Sequence, residues 1–111
     1  MAEPARFDDT FVAGDTYPLS LTLVDKDVTG GSATLHIRRN FNDTPVVIVE
    51  GTVGTTNGLI TFTIPPEATR VLDSARDGYH KFVYNIQLTE ADGTVQTLLV
   101  GSFRVLRDLA V

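Results

Sequence analysis

The chain has no cysteine and no tryptophan, and only one methionine and two histidines among its 111 residues. Without cysteine there is no disulfide, no thiolate nucleophile and no cysteine-ligated zinc, so stability must come from packing and backbone hydrogen bonds. No apolar run approaches the roughly 20 residues that a spanning helix needs. Met1-Ala2-Glu3-Pro4-Ala5-Arg6 also lacks the basic-then-apolar order of a signal peptide. The expectation is therefore no membrane partner and synthesis in a cytoplasm. Basic residues are scarce too: nine against fourteen acids, a formal charge of -5. That is the reverse of a phosphate-binding footprint, and nucleic acid is excluded as an expected partner. Arg38-Arg39, the only adjacent basic pair, reads as a solvated strand end or an ion pair.

The catalytic inventory is equally thin. His36 lies on the polar side of a strand pattern and His80 opens another, so a triad would have to gather around one of them. None of Ser20, Ser32, Ser74 or Ser102 sits in a Gly-x-Ser-x-Gly elbow, and no glycine-rich loop precedes a substantial helix. The reading is not an enzyme, with no cofactor. Two acidic loop pairs, Asp25 with Asp27 and Glu90 with Asp92, fall short of a calcium loop's ligand count and read as turn formers, so no metal is expected. Asn42-Asp43-Thr44 matches a glycosylation sequon, but Pro45 follows it and the match reads as coincidence.

What is present is period-two patterning closed by turn residues. Leu19, Leu21 and Leu23 alternate along one strand that starts at Pro18, behind a short strand over Asp9 to Ala13. Ala33, Leu35 and Ile37 repeat the pattern, opposite Thr34, His36 and Arg38. Val46-Val47-Ile48-Val49 is continuously apolar, which implies cover on both faces. The run is either core or an edge that pairs with a neighbouring subunit. A hairpin through Asn57-Gly58 joins Val46–Val53 to Leu59–Ile64, which Pro65-Pro66 ends. Pro66 to Asp73 reads as a helix of at most two turns with Ala68, Val71 and Leu72 on one face. Phe82, Tyr84, Ile86 and Leu88 alternate along the strongest strand, and Ala91-Asp92-Gly93 turns the chain into a final strand from Thr94 to Leu106. Gly101 inside that strand marks a bulge or bend.

About seven short strands with one helical turn make an all-β chain, an immunoglobulin-like antiparallel β-sandwich. Residues 1–6 read as a flexible N-terminal arm and residues 7–111 as one β-sandwich domain. The candidate interface residues are Arg6 and Phe7 on the arm, Val47 and Val49 on the apolar run, and Tyr17 and Tyr79 as aromatics that can serve a contact surface; Tyr84, in phase with Phe82 and Ile86, reads as core.

The stretch from Tyr84 to Val105, with Tyr84-Asn85-Ile86-Gln87-Leu88, Asp92-Gly93-Thr94-Val95-Gln96-Thr97-Leu98-Leu99-Val100-Gly101 and the closing Val105, resembles a recurring C-terminal hairpin of small tailed-phage structural proteins. There a "Tyr-Asp-Ile-Gln-Leu" strand leads to "Asp-Gly-x-Val-x-Thr-Leu-Leu-x-Gly"; Asn85 here replaces the aspartate. Gly14-Asp15-Thr16, Leu35-His36-Ile37-Arg38-Arg39, the Leu59-Ile60-Thr61-Phe62 strand and Gly78-Tyr79 extend the resemblance over about residues 11–107. Such domains are similar to the immunoglobulin-like N-terminal domains of phage baseplate upper proteins, which dock receptor-binding devices onto the tail. Related proteins serve as head decorations or tail accessories. The resemblance implies a virion structural protein whose partners are other virion proteins and copies of itself. The alternative is a carbohydrate-binding sandwich using exposed aromatics, a role for which tryptophan is missing.

Overall fold

A computed structural model describes residues 5–23, 28, 30–54, 58–73 and 79–106. Its strands are β1 (Ala5–Arg6), β2 (Asp9–Val12), β3 (Tyr17–Thr22), β4 (Ser32–Arg38), β5 (Val47–Glu50), β6 (Thr52–Val53), β7 (Leu59–Ile64), β8 (Tyr79–Thr89) and β9 (Val95–Leu106), with one helix, α1 (Pro66–Val71). One sheet runs β1-β9-β8-β4-β5, with β2 continuing beside β9, and the other runs β3-β7-β6. The fold is an all-β, immunoglobulin-like sandwich. Because β1 and β2 share one partner and β5 passes directly into β6, the segments reduce to the expected seven runs. All pairings are antiparallel except those of β1 and β2 with β9, which are parallel.

Alternation along each strand builds the core. Leu35 and Ile37 from β4, Ile60, Phe62 and Ile64 from β7, Phe82, Tyr84, Ile86 and Leu88 from β8, and Phe103 and Val105 from β9 are all buried in one cluster. On α1 the buried residues are Thr69 and, just beyond its end, Leu72, whereas Val71 is 61% exposed. Thr69 replaces Val71 on the inner face because its hydroxyl has work there. It donates to Asp15 O (2.7 Å) and Pro66 O (3.1 Å) and accepts from Gly14 N–H (3.0 Å), tying the β2–β3 turn to the helix.

The hairpin expected between Val46–Val53 and Leu59–Ile64 is confined to Thr52 and Val53, which pair with Thr61 and Ile60. The preceding Val47–Glu50 pairs with β4 in the other sheet. The strand changes sheets at Gly51, where a Cβ would meet the Phe62 ring at 2.6 Å, so only glycine lets the two sheets close over that phenyl group. Of the turn residues, Asn57 lies outside the described residues. Gly101 is not the bulge either. The register shift falls between Ile86 and Gln87, which pair with Leu99 and Thr97, so Leu98 is the extra residue and both leucines are buried.

Candidate functional site

Gly101 marks a close approach. A Cβ there would overlap Phe7 O and stand 3.0 Å from Tyr84 Cε1. Through this gap the Tyr84 ring, stacked on Phe103 at 4.0 Å with planes 3° apart, crosses β9, and its hydroxyl donates to Phe7 O (2.5 Å). The Asp8 carboxylate accepts from Ser102 N–H (2.8 Å) and Ser102 Oγ–H (3.2 Å), and Arg6 pairs with Asp8 at 3.3 Å. The Ser102 amide holds the Asp8 carboxyl below its ordinary range, against a smaller opposing effect of desolvation. Burial pushes the Tyr84 phenol up, so it remains a donor at any physiological pH.

At the end of the segment read as an arm, Ala5 and Arg6 pair with Leu99 and Val100, where the close approach at Gly101 and the Asp8 clasp set the segment against β9. Residues 1–4 lie outside the described residues. The side chains of Arg6 and Phe7 remain exposed, Phe7 at 41%.

The other candidate residues divide by strand phase. Tyr17 is not a surface aromatic: it is buried, stacks on Phe11 (4.6 Å), packs edge-on to Phe103 (5.4 Å), and its hydroxyl donates to Asp9 Oδ2 (2.5 Å). Val47 is core and Val49 is half-buried against it. Their phase partners Val46 and Ile48 face outward instead, Ile48 at 59% exposure, so the apolar run is covered on one face only. The side chain of Tyr79 lies outside the described residues, as do Asp25 and Asp27.

The outer face of the larger sheet carries a feature that strand patterning did not single out. A depression of about 240 Å³ is lined by Arg38, Phe41, Val83, Tyr84, Asn85, Thr97 and Val100. Arg38 is fixed within it: Nη1 donates to Asn85 Oδ1 (2.6 Å) and Nε to Asp43 O (3.1 Å). Both acceptors are neutral, and Arg38 pairs with no carboxylate among the described residues. The turn carrying Phe41 is held by Asp43 N–H to Asn40 O (3.2 Å) and Asn40 Nδ2–H to Asp43 Oδ2 (2.9 Å), which leaves the phenyl ring 74% exposed. Beside it, His36 faces Asn85 on one strand and Ile48 on the other. Its Nδ1 is buried without a partner, and desolvation, then Arg38, pushes the imidazole below its ordinary range. A second recess of about 490 Å³ near the N-terminal clasp is lined by Asp8, Asp9, Thr10, Lys81, Ser102 and Arg104. Lys81 and Arg104 stand directly opposite one another there.

His80 lies tilted against Phe82 at 4.8 Å, and no hydrogen bond joins either imidazole to a hydroxyl or carboxylate among the described residues. Asp92 caps its turn by accepting from Thr94 N–H (2.9 Å). Among the described residues no three histidine, aspartate or glutamate side chains converge for a metal, and no helix is long and apolar enough to cross a membrane.

No protein-family profile matches the chain, and no curated protein does. Among solved structures, it is similar to part of a family 123 glycoside hydrolase from Clostridium perfringens, with 12% identity and a TM-score of 0.44 over 94% of this chain. The chain spans 23% of the length of that structure.

Proposed function

We propose that this domain is a structural component of a tailed-phage virion, a tail or baseplate adaptor or a head decoration protein, working through protein–protein contacts. The observation that carries the reading is the resemblance over about residues 11–107, centred on the Tyr84–Val105 hairpin. That hairpin is the β8–β9 pair, whose Tyr84, Leu99 and Gly101 seat the N-terminal strand. The outer face supports a contact role: a guanidinium already oriented by neutral acceptors beside an exposed phenyl ring is the kind of arginine–aromatic pair on which interfaces concentrate their energy. Quantitative mass spectrometry of purified virions tests the reading. It calls for a stoichiometric, repeated copy number, and absence from complete particles would sink it.

The carbohydrate-binding alternative draws on the same depression, where Phe41 stands beside the polar groups of Asn85 and Thr97. Saturable binding of the isolated domain to a glycan array would put that reading first.

A further inference from the structure

A two-sheet sandwich has four edges, and three of these are blunted. β3 carries Pro18, which offers no N–H. β6 is two residues long. The β1–β2 edge is broken at Phe7 and Asp8, where the clasp to β9 sits. β5, at the end of the larger sheet, contains neither proline nor lysine and reads Val-Ile-Val-Glu.

Its free polar groups follow from the ladder. Gly51 N–H donates to Ala33 O (2.8 Å), so by antiparallel alternation Val49 and Val47 also bond toward β4. The N–H and C=O of Ile48 and Glu50 then point away from the sheet. Val46 is bent out of this alternation, since its N–H already donates to Ile37 O (2.8 Å).

We propose that β5 pairs antiparallel with β5 of a second copy across a two-fold axis at Val49. Only this register uses every outward group: Ile48 and Glu50 of each copy exchange bonds with Glu50 and Ile48 of the other, four in all. A register centred on Ile48 would need the Val46 N–H that is already committed. A second copy is the occupant because the sequence is complementary to itself here: each exposed Ile48 lies beside the aliphatic stem of the other copy's Glu50, and Val49 meets Val49 on the inner side. The other edges of a copy are blunted, so the pairing is isologous and closes as a dimer rather than growing into a fibre. The two Glu50 carboxylates lie on one face as diagonal neighbours, with Cα atoms about 7–8 Å apart. Their repulsion makes the dimer tighten as salt is added. The inference rests on the subunit-contact reading but not on any position within a virion.

The test is sedimentation of the full chain up to about millimolar concentration, with three variants. Ile48→Pro removes an N–H that no strand among the described residues uses. It should weaken self-association by about tenfold or more, the scale of losing a reciprocal bond pair. Ile48→Glu does the same by charge, because it sets a second carboxylate directly opposite Glu50 of the other copy, and it stands in if the proline variant fails to fold. Val49→Cys should oxidise to a covalent dimer on the cysteine-free background, since residues facing each other in a narrow pair have Cα atoms about 4.5 Å apart, within disulfide reach. Val47→Cys should not. A wild-type chain monomeric at every concentration, or Ile48→Pro and Ile48→Glu variants that associate like wild type, would overturn the pairing. Either result leaves incorporation into particles to be judged separately by mass spectrometry.

Discussion

Replacing Gly101 by alanine tests the seating of the N-terminal strand through the sign of the effect. Gly101 does not have a positive φ, so in open space alanine would stabilise the chain by about 0.4–1 kcal/mol through the unfolded state. The space is not open. The added Cβ would overlap Phe7 O, lie 2.8 Å from Phe7 C and 3.0 Å from Tyr84 Cε1, and two of those atoms are backbone that no rotamer change can move. Relief means lifting residues 5–8 off β9, which breaks the Tyr84–Phe7 and Asp8–Ser102 hydrogen bonds. Overpacking costs about 1–3 kcal/mol, and the lost buried hydrogen bond adds about 1 kcal/mol. Set against the gain of about 0.4–1 kcal/mol through the unfolded state, the net loss is about 1–4 kcal/mol. With an unfolding entropy of about 2.1 cal/mol/K per residue, a chain of this length moves about 4 °C per kcal/mol, so Tm should fall by about 4–16 °C. Thermal melts followed by circular dichroism measure this, and hydrogen exchange should show the Ser102 amide losing protection. Tyr84→Phe should cost less, and the double variant should be less than additive, since both changes act on the Phe7 carbonyl. An unchanged or raised Tm for Gly101→Ala would mean that residues 5–8 are not seated against Gly101.

Thr69→Val should cost about 1–3 kcal/mol in denaturant melts, because Gly14 N–H and Asp15 O lose their partner, while Thr69→Ser should recover most of it. Asp8 has a lowered carboxyl pKa in the fold, so its contribution is present above the unfolded value of 3.8 and is lost as pH falls through the folded one; Asp8→Ala should flatten that acid limb of the stability profile. His36 is held neutral, so stability should fall as pH drops below its unfolded value of 6.5 toward the lower folded one, and His36→Gln should remove that slope. Phe41→Ser should leave the melt within about 0.5 kcal/mol of wild type, while lowering the copy number recovered in virions.

The elements legible in the sequence are those fixed by local alternation. Leu35 and Ile37, Ile60 to Ile64, and Phe82 to Leu88 declare their inner faces because every second residue must enter one core. What alternation cannot specify is the partner. Val47–Glu50 could join β7 through the adjacent turn or β4 across the sheet, and the choice depends on whether Gly51 can pass under Phe62, a contact eleven positions away in sequence. Val71 was expected inside because it is apolar; Thr69 lies there because three hydrogen bonds satisfy its hydroxyl. Of the interface candidates, Tyr17 lies inside for a related reason, since Asp9 supplies a partner for its phenol and lets the ring join Phe11 and Phe103 in the core. The Arg38–Phe41 pair escaped strand-by-strand reading because it joins a strand end, a turn and a neighbouring strand. The exposed phenylalanine between Asn40 and Asn42 was its one visible signal.

The proposed role is that of a virion component working through its surfaces. The most direct measurement is a reconstruction of the particle with this domain fitted into it. That role calls for density for the domain at symmetry-repeated positions, with the Arg38–Phe41 depression covered by a neighbouring protein. A particle with no such density, or one in which that depression faces solvent at every copy, would contradict it.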